Sequence, residues 1–191
     1  MLFHNKLPSI SDLSDQLFQV LQVFDRFGVV YHLEGGTLLG IARDGDLIPW
    51  DKDLDVSIMS DQVPQLMKAL SSLQDSGWRI SKKVFLMDCE FAQAGEARIY
   101  KVKNRFLYFF AGKHVLDIFV KYKHQDDVYW VAADHIMRVG FLHYDGFDTL
   151  SWRGLNVKCP LYYEEYLTAK YGDWKTPIRE WHCSQELTIV K

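Results

Sequence analysis

Residues 34–57 read EGGTLLGIARDGDLIPWDKDLDVS. An apolar, β-branched run, Val29–Leu33, ends just before this stretch and predicts a short strand, and the residues after the glycine pair predict a short helix. Gly35 and Gly36 therefore lie in a strand-to-helix turn, where glycine allows a sharp bend and the close approach of a ligand. The start of the helix offers unpaired N–H groups to an anion. We expect Gly35, Gly36 and Thr37 to bind a phosphate, although a glycine pair by itself is also typical of a purely structural turn.

Two common phosphate-binding loops do not fit this turn. A Walker loop needs Lys and then Ser or Thr after its last glycine, where this chain has Ile41 and Ala42, and the GxGxxG pattern fails because threonine follows the glycine pair. A second phosphate ligand is available in Arg43, at the end of the predicted helix Thr37–Arg43, because a guanidinium can donate two hydrogen bonds to phosphate. A plain surface arginine is the alternative interpretation there. Arg98 is a weaker candidate, whose ordinary interpretation is an exposed strand arginine.

The acidic segment DKDLD enters a second predicted strand, Leu54–Met59. Residues two apart in a strand point to the same face, so Asp53 and Asp55 project together while the apolar residues between and after them enter the core. Two adjacent carboxylates repel each other unless a cation lies between them, and such hard oxygen ligands suit Mg²⁺ or Mn²⁺. A solvated acidic turn is the alternative. An EF-hand calcium loop is excluded, because it requires glycine at Val56 and glutamate at Gln62.

A third carboxylate, Asp117, lies in the otherwise apolar run HVLDIFV, residues 114–120. An unpaired ionised acid in a buried strand is costly, so a compensating charge is required. A lysine or arginine partner would supply it, and so would a metal ion shared with Asp53 and Asp55. Three acids from two neighbouring strands beside a glycine turn are what metal-assisted phosphoryl or nucleotidyl transfer requires. The sequence thus nominates these three acids as both metal ligands and catalytic residues.

The rest of the chain predicts a mixed α and β fold. Helical spacing of apolar residues predicts amphipathic helices over Ser11–Phe27 and Asp61–Leu73, and Pro160 precedes a last helix. Trp78–Ala133 is rich in β-branched and aromatic residues and predicts mostly antiparallel strands. Because no linker, repeat or low-complexity tract interrupts this pattern, we expect residues 1–191 to form a single domain.

The composition argues against several classes of protein. Nearly half of the 191 residues are apolar and the net charge is only −3, with acids and bases interspersed, so a nucleic-acid-binding face is not expected. No apolar run has the length of a signal-peptide core or a membrane span, which predicts a soluble, cytoplasmic protein. A disulfide framework and a structural zinc site are disfavoured, because the three cysteines are widely spaced and form no CxxC pair: Cys89, Cys159 and Cys183.

Three segments, GGTLLGIAR, PWDKDLDV and LDIF, resemble the LicD/fukutin family of the nucleotidyltransferase-fold superfamily. The resemblance extends to YLTAKYGDW, residues 166–174, which is similar to the family's C-terminal YGDW or YGDY segment. It implies an α+β fold with a nucleotidyltransferase-like mixed sheet flanked by helices. It also implies transfer of phosphocholine, ribitol phosphate or a similar phospho-group from a CDP-type nucleotide donor to a hydroxyl acceptor, with a glycan favoured, and Mg²⁺ at the aligned acids.

The resemblance assigns roles residue by residue. The family's DxD metal pair, its later strand acid and its donor-phosphate turn correspond here to Asp53 and Asp55, to Asp117, and to Gly35, Gly36 and Thr37. Asp51 matches an acid that is often present but is less surely a ligand. By analogy with the superfamily, Asp117 is also the candidate to take the proton of the acceptor hydroxyl. One departure is Lys52, which stands where many members have another acid.

Two other functions are compatible with these residues. A nucleotidyltransferase proper would attach a nucleoside monophosphate to a protein, RNA or small molecule through the same acids, and the lack of a basic tract argues against RNA. A noncatalytic nucleotide-binding module would keep the fold without the chemistry. The filled acid positions argue against the binding module, because it has no need of their mutual repulsion.

Overall fold

The structure is a computed structural model that describes residues 10–106, 110–179 and 185–190. Within these ranges the chain forms four helices and nine strands. In chain order they are α1 (Ile10–Arg26), β1 (Tyr31–Leu33), α2 (Gly35–Asp44), β2 (Leu54–Met59), α3 (Val63–Asp75), β3 (Arg79–Val84), β4 (Ala97–Phe106), β5 (Phe110–His124), β6 (Asp127–Ala132), β7 (His135–Gly140), β8 (Asp148–Trp152), β9 (Leu155–Cys159) and α4 (Tyr163–Tyr171).

One mixed sheet organises the molecule. Its strands follow the order β1-β2-β5-β4-β3, and β6 joins it through β5 and pairs in turn with β7. β2 and β5 are parallel, whereas the other described neighbours in the sheet are antiparallel. The prediction of a mixed, mostly antiparallel sheet with helices is therefore confirmed. The parallel pair brings together two segments that are distant in sequence, so that Asp55 lies opposite Asp117.

The two faces of the central strands differ in chemistry. One face is apolar and buried, and it belongs to the same core cluster as α1 and α3; α1 contacts both α3 and β5. Because strand side chains alternate, the residues between these core positions point to the opposite face, which is the face that carries the acids. The core residues on this face of β2, β4 and β5 include Leu54, Val56, Ile58, Tyr100, Val102, Leu116, Ile118 and Val120.

Two predicted helix starts differ from the structure. α2 begins at Gly35, two residues before the predicted start, because Glu34 has an extended backbone and its side chain accepts a hydrogen bond from Gly35 N–H at 3.3 Å. The glycines are thus the first residues of the helix. α3 begins at Val63 after a short 3-10 turn, and a proline in its first turn suits that start. β2 spans the predicted Leu54–Met59.

Three further observations bear on the classes considered above. Among the described residues, no helix combines the length and the apolar content that crossing a bilayer requires. Cys159 is a buried free thiol and Cys89 an exposed one. Cys183 lies outside the described residues.

Candidate active site

The turn between β1 and α2 is packed against two carboxylates. Gly35 has a positive φ of 55°, and a β-carbon placed on it would lie 2.5 Å from Oδ2 of Asp55. A β-carbon on Gly36 would lie 2.0 Å from Oδ2 of Asp51. Carbon and oxygen atoms do not approach so closely without a bond, so both positions favour glycine because of the neighbouring acids. The two carboxylates lie at the N-terminus of α2, the end of a helix that favours negative charge.

Thr37 holds the backbone of the strand that carries Asp55. Its Oγ1 accepts a hydrogen bond from the Asp55 N–H at 2.8 Å, and the Glu34 N–H donates to the Asp55 carbonyl at 3.0 Å. Through these contacts the turn positions Asp55. Binding of a donor phosphate by Gly35, Gly36 and Thr37 stays a prediction.

The three nominated acids line one cleft together with Asp51. Asp55 on β2 and Asp117 on β5 are register partners. Asp53 is exposed and precedes β2 by one residue. The Asp51 carboxylate accepts hydrogen bonds from the N–H groups of Lys52 at 2.8 Å and of Asp53 at 3.4 Å. The structure thus places acids from two neighbouring strands beside the glycine turn, as the sequence led us to expect, and their role as metal ligands stays a prediction.

Asp55 lies in a region that is short of positive charge. Burial raises its pKa well above the ordinary value, and the carboxylates of Asp117 and Asp51 raise it further, whereas Lys170 opposes the shift. The pKa of Asp51 is also raised, first by burial and to a lesser extent by the carboxylate of Asp53, although the backbone N–H groups that it accepts act in the opposite direction. A carboxylate with a raised pKa is stabilised by a proton or by a cation.

Asp117 has a lysine partner. Nζ of Lys101 lies 2.9 Å from Oδ1 and 2.7 Å from Oδ2 of Asp117, because Lys101 on β4 is the register partner of Asp117 on β5. The sequence left a basic partner and a metal as alternatives, and the structure shows the basic partner. Among the described residues, no group of three or more His, Cys, Asp or Glu side chains is arranged so that it could hold a metal ion.

Arg43 lines the cleft but is engaged within its own helix. Its Nε and Nη2 donate to the two carboxylate oxygens of Asp44 at 2.9 and 2.7 Å. This bidentate ion pair occupies the Nε–Nη2 edge of the guanidinium, the edge that would otherwise donate to a phosphate. Its role as a phosphate ligand therefore stays a prediction that requires the pair to open.

A second charged cluster, which the sequence analysis missed, lies under the turn and consists of Glu34, Lys121, Lys170, Tyr144 and Tyr166. Glu34 is 1% exposed and Lys121 is fully buried. Oε1 of Glu34 accepts from Nζ of Lys170 at 2.7 Å and from the Tyr166 hydroxyl at 2.5 Å. Oε2 accepts from Nζ of Lys121 at 2.5 Å and from the Tyr144 hydroxyl at 3.1 Å. We call this group the Glu34 cluster.

The Glu34 cluster sets two ammonium groups against one carboxylate, and Glu186 adds a second carboxylate 3.5 Å from Nζ of Lys170. Burial acts to raise the pKa of Glu34, but the ammonium groups of Lys121 and Lys170 outweigh it and hold the pKa well below the ordinary value. Burial lowers the pKa of Lys121 to about 8 despite the attraction of Glu34, and its Nζ lies 3.7 Å from the ring centroid of Trp130. The available sequence signals were a lysine within the apolar β5 and another in the YLTAKYGDW segment. Neither identifies its partner without the fold.

The cleft has a volume of about 670 Å³ and contains charges of both signs. Besides the acids, Lys83, Arg98 and Lys101 line it from the β3–β4 side. Aromatic residues contribute to the lining as well, among them Trp50. Trp50 is 41% exposed, and the guanidinium carbon of Arg179 lies 5.3 Å from the centroid of the Trp50 ring. A volume of this size with convergent charged groups suits a nucleotide-sized ligand.

Comparison with known proteins identifies a family. The sequence model of the LicD/FKTN/FKRP nucleotidyltransferase domain matches residues 28–161, which include the turn, the acids and Lys101. A mouse protein named ribitol-5-phosphate transferase FKTN is 29% identical over 188 residues, which cover 95% of this chain and 36% of that protein. The mouse ribitol 5-phosphate transferase FKRP is 54% identical over 44 residues, or 23% of this chain and 9% of that protein.

Two further likenesses cover other parts of the comparison. An uncharacterised protein of Rickettsia prowazekii is 30% identical over 87 residues, which cover 46% of this chain and 33% of that protein. The crystal structure of ANT(2″)-Ia in complex with adenylyl-2″-tobramycin has a TM-score of 0.47 at 13% identity, over 91% of this chain and 83% of that one. The chain thus spans about a third or less of the curated relatives described here.

Proposed function

The chain belongs to the LicD/FKTN/FKRP family of nucleotidyltransferase domains, and on that premise we propose that it transfers a phospho-linked group from a CDP-type nucleotide donor to a hydroxyl acceptor. Ribitol phosphate and phosphocholine are the favoured groups, and a glycan is the favoured acceptor. The names of the FKTN and FKRP relatives support ribitol phosphate. The expectation of a LicD-type enzyme is confirmed at the level of the family.

The observation that carries this proposal is the pairing of Asp55 with Asp117 at the cleft. Two acids on adjacent parallel strands, with Asp51 and Asp53 close by in sequence, concentrate negative charge where a phosphate donor must bind. Lys101 offsets the charge of Asp117, but the remaining acids would repel one another and a phosphate unless a further cation is bound. A group of acids at this place is explained by phosphoryl transfer, because enzymes catalyse that reaction by positioning the reactants and by neutralising the phosphate charge with bound cations.

We propose Mg²⁺ or Mn²⁺ as the cofactor, held by Asp53, Asp55 and Asp117, with Asp51 as a further candidate ligand. The donor set fits in its chemistry, since the ligands are carboxylate oxygens and the raised pKa of Asp55 marks a carboxylate that lacks a cation. Lys101 now supplies the positive charge beside Asp117, so this assignment requires their ion pair to open. When bound, the ion would neutralise the donor phosphates and polarise the bond to the leaving nucleotide.

The residues of the chain have distinct proposed roles. Gly35, Gly36 and Thr37 bring α2 and its N–H groups close to a donor phosphate, and they position Asp51 and Asp55. Arg43 is a candidate for a further phosphate oxygen. Asp117 would take the proton of the acceptor hydroxyl, as the superfamily analogy implies, and its hydrogen bonds to Lys101 orient the carboxylate before the substrate binds.

The test is a product analysis with a panel of CDP-, ADP-, UDP- and GDP-linked donors and of nucleoside triphosphates, with and without Mg²⁺. The proposal would be supported if a nucleoside monophosphate is released only from donors that carry a transferable phospho-linked group, and only when Mg²⁺ is present. Release of pyrophosphate from a nucleoside triphosphate would instead indicate nucleotidyl transfer. Nucleotide binding without release of either product would indicate a noncatalytic binding module.

Matched variants connect the activity to the cleft. Asp53→Asn and Asp55→Asn should each remove nearly all activity and leave the protein folded, because both substitutions keep the side-chain volume and delete only the charge. Asp75→Asn is the control, since Asp75 is exposed at the end of α3. Activity near that of the wild type in either cleft variant would refute the assignment of the acids.

A further inference from the structure

The side chain of Arg98 on β4 lies on a different side of the sheet from the one that regular strand alternation predicts. Ile99 and Lys101 line the cleft, whereas Tyr100 and Val102 are buried in the core on the other face. Alternation would point Arg98 to the same side as Tyr100 and Val102, into an apolar layer. Arg98 nevertheless lines the cleft.

A β-bulge explains the placement. Lys83 on β3 pairs with Ile99, but the next residue, Val84, pairs with Ala97, so that Arg98 has no register partner. An extra residue of this kind bends the strand and turns its side chain to a different side, and bulges are common beside active sites for that reason. The irregularity of β4 therefore serves to place a guanidinium in the cleft.

The guanidinium of Arg98 is only partly engaged by the protein. Its one ion pair among the described residues, with Asp134, is long at 3.5 Å, and the side chain of Asp134 is 96% exposed. Its Nε is buried and has no hydrogen-bond partner among the described residues. Arg43, in contrast, donates from two nitrogens to Asp44 at 2.9 and 2.7 Å. Arg98 therefore has more unused capacity than Arg43 to donate hydrogen bonds to an anion.

The surroundings of Arg98 hold it in place for a ligand. Its guanidinium carbon lies 6.0 Å from the ring centroid of Phe85, a buried ring that packs edge-on against Phe91 and Tyr122. Stacking on a fixed ring limits the rotamers of an arginine while leaving its donor edge available. Lys83 and Lys101 line the same side of the cleft and add positive charge.

We infer that Arg98 is a substrate-binding residue that donates hydrogen bonds to a phosphate of the nucleotide-linked donor. The identity of that ligand rests on the proposed function, whereas the recognition of a phosphate rests on the bulge, the buried Nε and the cleft. Arg98 thus supplies the arginine–phosphate contact that Arg43, paired with Asp44, does not provide in this structure.

Calorimetric titration with inorganic pyrophosphate and with CDP, both with MgCl₂, tests the inference. We expect Arg98→Gln to weaken binding of both ligands by roughly 10- to 100-fold, as the loss of a charged hydrogen bond implies. Arg98→Lys should lose less affinity than Arg98→Gln, since lysine keeps the positive charge but lacks the bidentate donor geometry of the guanidinium. Arg138→Gln is the matched control, because Arg138 also has a long acid contact, 3.6 Å to Asp127, and is 50% exposed outside the cleft.

The outcomes separate this inference from the proposed function. If no CDP-linked donor is turned over but Arg98→Gln still weakens pyrophosphate binding more than Arg138→Gln, the proposed reaction fails and the phosphate site stands. Wild-type affinity of Arg98→Gln for both ligands overturns the inference, as does the absence of binding of both ligands to the wild-type protein. Denaturant midpoints of the variants show whether a loss of binding merely reflects unfolding.

Discussion

Glu34 and Asp55 are joined by a backbone hydrogen bond of 3.0 Å, and the protein surrounds the two carboxylates in opposite ways. In the Glu34 cluster a single buried carboxylate has two lysines and two tyrosine hydroxyls, and its pKa is held well below the ordinary value. At the cleft, Asp55 is surrounded by other acids and its pKa is raised well above the ordinary value. The Glu34 carboxylate is paired by side chains of the protein, whereas the repulsion at Asp55 would be relieved by a bound cation.

We propose that the difference distinguishes a structural acid, Glu34, from a functional one, Asp55. A buried charge that is fully paired holds elements together, and here Glu34 joins the turn to β5 through Lys121 and to α4 through Lys170. An acid whose repulsion is left uncompensated costs stability and is expected where a function requires it. Replacing each acid by its amide, which keeps the shape and removes the charge, tests this distinction.

The largest effect is expected for Glu34→Gln. The substitution leaves Lys121 and Lys170 buried with too little negative charge, and breaking a buried pair in this way costs about 3–5 kcal/mol. The free energy of unfolding from denaturant titration measures the loss. Glu165→Gln is the control, because Glu165 is exposed on α4. A midpoint equal to that of the control would show that the Glu34 cluster is not a structural anchor.

The opposite sign is expected for Asp55→Asn. Removing the charge relieves the repulsion from Asp117 and Asp51, so in chelator the variant should be more stable than the wild type by about 0.5–2 kcal/mol, the usual gain at a strained functional position. With Mg²⁺ and a nucleotide ligand the order should reverse, because only the wild type gains the full stabilisation from binding. Denaturant midpoints in the two buffers provide the measurement. A loss of stability in chelator would contradict the proposed shortage of positive charge.

The pH dependence should show the same contrast. A raised pKa in the folded state means that the native protein holds the Asp55 proton more tightly than the unfolded chain does, so the contribution of Asp55 to stability falls as the pH rises through its folded pKa. The gain from Asp55→Asn should accordingly be near zero at low pH and increase upward from about pH 4. Glu34 has a lowered pKa, so its contribution is present above its unfolded pKa and is lost as the pH falls. Denaturant unfolding curves of the wild type and of Asp55→Asn, recorded from pH 4 to 8, measure how the stability gain varies with pH. A gain that does not vary with pH would exclude the titration of Asp55 as its source.

The fold around the acids could be predicted because it follows from local patterns. The alternation around Asp55 identified β2, and the apolar residues around Asp117 identified a strand that became part of β5. Which lysine would meet which acid could not be predicted, because it depends on strand order. Lys101 reaches Asp117 only because β4 lies beside β5, and Lys121 and Lys170 reach Glu34 only after β5 and α4 have packed. The bulge at Arg98 has no reliable sequence signal, since it appears only in the register with β3.

The smallest effect on stability is expected for Asp117→Asn. It should lie between the loss expected for Glu34→Gln and the gain expected for Asp55→Asn. Asp117 loses its ion pair with Lys101, but the side chains are 15% and 28% exposed, so water can solvate the lysine that remains. A partly exposed pair of this kind contributes about 0–1 kcal/mol, and the variant also relieves the repulsion that Asp117 exerts on Asp55. The two contributions have opposite signs, so the stability in chelator should stay within about 1 kcal/mol of the wild type. A double-mutant cycle with Lys101→Met isolates the pair, because the coupling energy excludes what each side chain does separately. A loss as large as that of Glu34→Gln would show that Asp117, too, is a structural acid, and it would remove the reason for assigning it to the metal and to the acceptor proton.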